Sequence, residues 1–581
     1  MKNIPLFDVR TIRDLRDMLQ QSVEHYGDKA AFLIKDPRVV HREGIPETSS
    51  KEQAYLPVTY RQFARDVDSL GTFFKSLGRT DARIAILAET RYEWYVTYLA
   101  TVNGVGVVVP LDKELPEAEI ASLLNRSHAD VLVFSSSKQA VVNEIRAQIP
   151  TVRTFISMDE PDADKDVLSF WQCLEAGEKA LETGDRSFLD AEINPEIMNI
   201  LLFTSGTTAR SKAVMLSHNN ICINLMAMCQ MLYIDDKDTF LSVLPLHHTY
   251  ECTCGFLCPI YRGCTIATCE GLRHITRNMQ ESKVTIILVV PLMAELFYKR
   301  IMKTVTADPK LAKKFRIGLK LSNTLRKVGI DKRRTLFAKV HETFGGHLRL
   351  MIAGGAAIDP AVLKGMRDLG ILSVQGYGLT ECAPILALNR NVDYNDSAAG
   401  LALPGVEVRI VNEDENGIGE IIGRGPNVML GYYEDEEATR EAIDEDGFFH
   451  TGDLGYIDKD GFVIITGRKK NVIVTKNGKN IFPEEIEFLL SQSEFIQECL
   501  VSGTEDDGGD TMVTAEIFPN EEKIKETLGD VALTDPSVKA LIQEEVKKVN
   551  HRLTTYKAVR QFTLRDTEFE KTTSRKIKRK Y

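Results

Sequence analysis

Five hydroxyls, one glycine and a closing lysine are packed into Thr204-Ser205-Gly206-Thr207-Thr208-Ala209-Arg210-Ser211-Lys212, directly behind an apolar run. Short hydroxyl side chains and closely approaching backbone N–H groups can replace the water around a polyphosphate, and Lys212 adds a movable positive charge. The spacing is not that of a GxxxxGK[ST] loop, so a kinase or GTPase is not the natural reading, and the same composition also makes ordinary turns. A second segment, Gln375-Gly376-Tyr377-Gly378-Leu379-Thr380-Glu381, sets an aromatic, a hydroxyl and a carboxylate on one short loop. Those groups can stack on a base, touch a phosphate and hold a cation. Farther on, Asp453 in His450-Thr451-Gly452-Asp453 suits paired ribose hydroxyls, and Arg468 suits the same sugar or a phosphate.

The elements that must position these residues follow from periodicity. Residues 197–203 read as a buried strand delivering the first loop, and Ser217-His218-Asn219-Asn220 opens an amphipathic helix beyond it. Residues 83–88 and 105–110 read as further buried strands with helices between them. This strand–helix alternation continues to about residue 400, which implies an α/β fold of parallel sheets covered by helices. From 405 to 467 the pattern changes to short strands with turns such as Asn412-Glu413-Asp414-Glu415-Asn416-Gly417, suiting a small β-barrel or hairpin subdomain. Beyond 470, about 110 residues remain, enough for a small α+β domain.

Together the ordered segments resemble the adenylate-forming superfamily of acyl-CoA synthetases, peptide-synthetase adenylation domains and luciferases, over nearly the whole chain. Leu244-Pro245-Leu246-His247-His248-Thr249-Tyr250-Glu251, Ala353-Gly354-Gly355-Ala356-Ala357 and the stretch 419–487 look most like long-chain fatty acid–CoA ligases. The resemblance implies an N-terminal AMP-binding domain over 1–469, with the β-rich subdomain inside it, and a mobile C-terminal domain over 470–581 hinged at Lys470. It places Thr204, Ser205, Gly206, Thr207, Thr208 and Lys212 around the β- and γ-phosphates of ATP and Thr380 at the α-phosphate. Glu381 falls on the Mg²⁺ ligand. Tyr377, flanked by Gly376 and Gly378, would stack on adenine, and Asp453 with Arg468 would hold the ribose. His248 matches a residue at the acyl group, Gly354, Gly355 and Ala356 line the acyl pocket, and the Gly478 loop serves the coenzyme A step. Ala209, Ser211 and Ala213 stand where the family usually has Gly, Pro and Gly; alanine permits backbone donation but not a positive φ without strain.

The last cation comes from the tail. Glu570-Lys571-Thr572-Thr573-Ser574-Arg575-Lys576-Ile577-Lys578-Arg579 is similar to the family's closing PxTxxGKIxR, which puts Lys576 on the catalytic lysine, with Lys578 as the rival register. Six of the last eleven residues are basic, a composition that also describes a solvated tail. The acceptor of the acyl group is expected to be free coenzyme A, since no carrier module follows, with acyl carrier protein as the alternative. A luciferase-like monooxygenase and an inactive lipid-binding homologue would share most of these motifs.

Composition fits an enzyme of the cytoplasm. The chain has 581 residues and a net charge of −11, which offers nothing to nucleic acid in general. No secretory leader and no apolar run of membrane-spanning length are visible. Seven of the ten cysteines lie between Cys222 and Cys269, but their spacing is neither that of CxxC pairs nor of a ferredoxin, and they read as reduced core thiols. One segment stands apart: 310–339 carries eleven Lys/Arg and one acid, interrupted by Phe315, Ile317, Leu319, Leu321, Leu325 and Val328. A basic amphipathic helix of this kind lies either in solvent or peripherally on an anionic membrane.

Overall fold

In the computed structural model, which describes residues 5–36, 38, 54–159, 166–204, 211–475, 480–505, 511–571 and 577–579, the apolar runs become the strands of two large sheets. An eight-stranded sheet places Ala82–Leu87 between Gly106–Pro110 and Val131–Phe134, all parallel, and Met198–Thr204 runs parallel to Gly106–Pro110. These strands are apolar on both faces because helices cover both. Lys212–Ser217 then turns back antiparallel on Met198–Thr204. The nine-stranded sheet has a parallel centre running, in spatial order, through Leu372–Gly378, Leu350–Ala353, Ile286–Val289, Thr239–Ser242 and Thr265–Thr268. Ile385–Leu388 and Leu401–Ala402 extend it antiparallel at one edge.

The helix expected after Ser217 forms as His218–Met231, and Ser217 and Asn220 make a reciprocal capping box at its start. It is not amphipathic. His218, Asn220 and Asn224 are buried along with Ile221, Cys222, Leu225, Met228 and Cys229, because the helix runs through the interior and its polar groups hold neighbouring loops instead of water. All ten cysteines are free, and nine are buried. No helix among the described residues is long and apolar enough to cross a membrane.

The chain divides into two compact units, one of Met1–Val408, Gly423–Phe449 and Lys459–Val463, the other of Arg409–Ile422, His450–Asp458 and Ile464–Tyr581. The β-rich segments Arg409–Ile422 and His450–Asp458 thus group with the C-terminal residues. Most of an open four-stranded sheet lies in the second unit, in the order Glu407–Val411, Gly419–Arg424, Phe449–Ile457, Val463–Arg468. The expected small β-barrel is therefore corrected to an open sheet. Closure requires the first and last strands to pair, and among the described residues these two do not; four strands are also too few to curl around an interior. The rest of this unit is α+β, with the sheet of Ile496–Glu505, Thr511–Pro519 and Gln561–Leu564 and the helices Pro483–Ser491, Glu521–Leu528 and Pro536–Asn550 around one apolar core.

Candidate functional site

Antiparallel pairing of Met198–Thr204 with Lys212–Ser217 sets Thr204 opposite Lys212, which holds both ends of the hydroxyl loop. Ser205, Gly206, Thr207 and Thr208 lie outside the described residues. Arg126 secures the loop's exit by donating to the Ser211 hydroxyl at 3.2 Å and its carbonyl at 2.8 Å. The Lys212 ammonium sits 4.3 Å from the centre of the Tyr432 ring, a cation–π contact. Tyr432 arrives there because Gly431–Tyr432 adds to the edge of Lys212–Ser217. Its hydroxyl donates to Glu381 Oε1 at 3.0 Å. Burial, then the Glu381 charge, raises the Tyr432 pKa, so the hydroxyl remains a donor.

Glu381 belongs to the short turn Thr380–Cys382 that follows Leu372–Gly378. Gly378 is required there, since a Cβ would lie 1.9 Å from the Pro384 carbonyl oxygen, the acceptor of the Leu379 N–H. Two buried asparagines brace the turn: Asn224 and Asn427 each donate to the carbonyls of both Cys382 and Ile385, at 2.9 to 3.2 Å. Thr380 Oγ1 lies 3.4 Å from Thr249 Oγ1. Tyr377 is only 9% exposed, which leaves little of its ring open to a base.

Thr249 comes from a place that topology singles out. From Thr239–Ser242 the chain passes to Thr265–Thr268 on one side, whereas from Ile286–Val289, its other neighbour, it passes on to Leu350–Ala353. The connections thus diverge at the carboxyl ends of two adjacent parallel strands, where a crevice opens and ligands bind in open α/β sheets. His247 and His248 follow the first of these strands, with ring centres 4.1 Å apart, and His247 Nε2 lies 3.3 Å from Asp112 Oδ2. Gly354, Gly355 and Ala356 follow Leu350–Ala353 at the same edge. Gly354 is needed for packing, because a Cβ there would meet the Tyr250 ring at 2.8 Å; Gly355 and Ala356 are exposed, and Gly355 has φ +87°.

In the second unit, neighbouring strands bring Asp453 and Arg468 together as an ion pair, Nε to Oδ1 2.6 Å, with the Asp453 side chain buried and Arg468 half exposed. Buried Glu420 braces the same turn, accepting from the Gly452 N–H at 3.2 Å and from Lys469 Nζ at 2.9 Å, with His450 Nδ1 at 3.3 Å. Burial alone would raise its pKa; the bonds from Lys469 and His450 outweigh that and lower it. Lys470 lies in the 3₁₀ turn Lys469–Asn471. Gly478 and Lys576 are outside the described residues, but the chain on either side of each is tied. Val474 pairs with Asn480, Lys571 with Ile577, and Lys578 N–H donates to the Glu570 carbonyl at 2.8 Å. Arg579 makes two bonds to Glu487, 2.6 and 2.7 Å, so this part of the basic tail is anchored.

The sequence pattern of the AMP-binding enzyme family matches residues 19–433. The chain belongs to that family. Long-chain-fatty-acid–CoA ligase 5 of Rattus norvegicus is 30% identical over 493 residues, covering 78% of this chain and 70% of that protein. Long-chain-fatty-acid–CoA ligase FadD15 of Mycobacterium bovis is 27% identical over 558 residues, 90% of each chain. Among solved structures, the anthranilate CoA ligase AuaEII with anthranoyl-AMP superposes with a TM-score of 0.74 at 20% identity, over 98% of this chain and 96% of that one. ATP-bound MatB from Rhodopseudomonas palustris does so with 0.71 at 23% identity, over 97% of each. At such identities these two structures speak for the fold, a large α/β domain with a small C-terminal one.

For an AMP-binding enzyme the Mg²⁺ question turns on the donor set. Glu381 is a single half-buried carboxylate on the same turn as the Thr380 hydroxyl, and among the described residues no three His, Cys, Asp or Glu side chains converge. That set is too sparse for an all-protein cage and fits Mg²⁺, which keeps waters and takes one or two carboxylates plus substrate phosphates.

Sequence reasoning missed Arg126, Asn224, Asn427, Glu420 and Tyr432, which bind neighbours distant in sequence and leave no local pattern. It also missed the π-helix Tyr250–Leu257 of this AMP-binding enzyme, which packs against the strands Thr239–Ser242 and Ile286–Val289. Gly255 makes room there for the Glu251 carboxyl, since a Cβ would lie 2.7 Å from Glu251 Cδ. Glu251 Oε1 accepts from Ser242 Oγ at 2.6 Å, and Oε2 has no hydrogen-bond partner among the described residues. Burial pushes its pKa up to about 8. The folded state therefore keeps a proton that the unfolded chain loses near the ordinary carboxyl value, and stability should fall as pH rises between the two, then level above about 8. Urea midpoints from pH 5 to 9 should show that loss, on the order of a few kcal/mol, in the wild type and not in Glu251→Gln. Equal slopes in both would refute a neutral Glu251.

Proposed function

We propose that this AMP-binding enzyme activates a medium- or long-chain fatty acid with ATP, releases pyrophosphate, and passes the acyl group to coenzyme A. The observation that carries the reading is the contact chain Lys212–Tyr432–Glu381, with Glu381 on the same turn as Thr380, because it gathers a cation, a carboxylate and a hydroxyl where the hydroxyl loop ends. The matching of long-chain fatty acid–CoA ligases over most of the chain supports the choice of acid.

A carboxylate is already a competent nucleophile, so the protein has to overcome the approach of one anion to another. In the first step an oxygen of the acid bonds to the α-phosphorus as the bond from that phosphorus to pyrophosphate breaks. Thr204 to Thr208 and Lys212 hold the β- and γ-phosphates, and Thr380 orients the α-phosphate. Glu381 would hold Mg²⁺, which would supply charge to neutralise the triphosphate. Asp453 receives the ribose hydroxyls, with Arg468 fixing its carboxylate. In the second step the sulfur of coenzyme A bonds to the acyl carbon, AMP leaves, and the thiol proton passes to solvent.

The test is a panel of carboxylic acids with Mg-ATP, following pyrophosphate. Release only with a medium- or long-chain fatty acid, and thioester once coenzyme A is added, is the expected result. ADP and phosphate as products would overturn it, as would an oxygen-dependent product, or tight acyl binding with no pyrophosphate.

A further inference from the structure

We propose that the outward face of the helix Pro309–Lys327 docks on the surface of an anionic lipid bilayer. The helix starts at Asp308, whose side chain accepts from the Lys310 N–H at 2.8 Å, and its inner face is committed to the protein. Phe315 and Leu319 pack against the core behind it, the Phe315 ring lies 5.4 Å from that of Phe337, and Ser322 is buried. A helix docked in this way should turn polar residues to water.

Its outer face does so only in part, because aliphatic side chains stand exposed among the polar ones. Ile317, Leu321 and Val328, spaced four and seven residues apart, share one side and are 56%, 47% and 69% exposed. Lys313, Lys320 and Lys327, seven residues apart, run along one flank of that stripe, and Lys314 lies on the other. None of these four lysines forms an ion pair among the described residues. Exposed aliphatics between free ammonium groups suit the boundary of a bilayer, where the apolar side chains enter the acyl region and lysine stems reach back to anionic headgroups. Charge narrows the partner further, since the segment 310–339 has eleven basic residues to one acid in a chain of net charge −11. The bulk of the chain is repelled by such a surface, so attraction is confined to this face and orients the protein on it.

The experiment is co-sedimentation of the full chain with vesicles of phosphatidylcholine alone or mixed with phosphatidylglycerol, read without any catalytic assay and therefore independent of the proposed reaction. Binding is expected only to the mixed vesicles, weakening about tenfold or more as salt rises from about 0.05 M to about 0.5 M. Ile317→Asp with Leu321→Asp should abolish it, and Lys313→Glu with Lys320→Glu should do the same, with unchanged circular dichroism and thermal midpoint. Equal binding to neutral and anionic vesicles, or full binding by either folded double variant, would overturn the proposal. So would a concentration-dependent dimer lost in Ile317→Asp, which would assign the face to a second copy of the chain.

Discussion

Glu381→Gln is expected to lower fatty-acid-dependent pyrophosphate release by about two orders of magnitude or more, because about 3 kcal/mol of charge stabilisation is removed where the triphosphate must be neutralised. Structure makes this a clean substitution. The turn carrying Glu381 is held by Asn224 and Asn427 and by the Met429 N–H bond to the Glu381 carbonyl, none of which uses the carboxylate. Glutamine can still accept from Tyr432 through its amide oxygen, so shape survives while charge is lost. Tyr432→Phe is the companion variant. It removes one donor to Glu381 and keeps the ring under Lys212, so a loss of about tenfold or less is expected. Near-normal turnover of Glu381→Gln at saturating Mg²⁺ would remove this residue from metal binding.

Lys576→Ala should separate the two half-reactions. If this lysine lies between the attacking carboxylate and the α-phosphate, its loss leaves two anions to approach uncompensated, and adenylation should fall about a hundredfold or more. Thioester formation from supplied acyl-adenylate and coenzyme A should stay near the wild-type rate. Lys578→Ala tests the rival register and should leave both steps nearly intact. The Lys470→Pro variant should behave in the opposite way. Proline's fixed φ near −65° suits the 3₁₀ turn Lys469–Asn471, so the fold should tolerate it, while φ at residue 470 can no longer change. Adenylation should persist and transfer should fail. Quenched-flow measurement of pyrophosphate and thioester decides the matter, and normal adenylation by Lys576→Ala would refute the role.

What the sequence determined by itself was the inventory and its order: hydroxyl loop, Gly376–Glu381, Asp453, Arg468 and the lysine-rich tail, together with the α/β alternation of the larger unit. These are legible because each depends on neighbours in the chain. A phosphate loop needs small and hydroxylated residues in succession, a buried strand needs a continuous apolar run, and a glycine such as Gly378 marks a backbone approach only a few residues away. The basic stripe of 310–339 was equally readable, but which of its faces meets the core was not; Phe337 decides that.

Only the tertiary structure decided how those pieces meet. Tyr432 stands 220 residues beyond Lys212 in the chain, yet edge pairing of Gly431–Tyr432 sets it between Lys212 and Glu381. Strand order alone set the point where connections diverge, between Thr239–Ser242 and Ile286–Val289, since such divergence is a property of neighbours in space. The same cause misled the local reading twice. Short strands after 405 looked like a barrel, although closure depends on whether the first strand reaches the last. The helix after Ser217 looked amphipathic, although Asn220 and Asn224 are buried because distant carbonyls of Pro426 and Val428 and of Cys382 and Ile385 come to meet them. Hydrogen bonds and strand edges join residues by distance in space, and one-dimensional order carries no record of that distance.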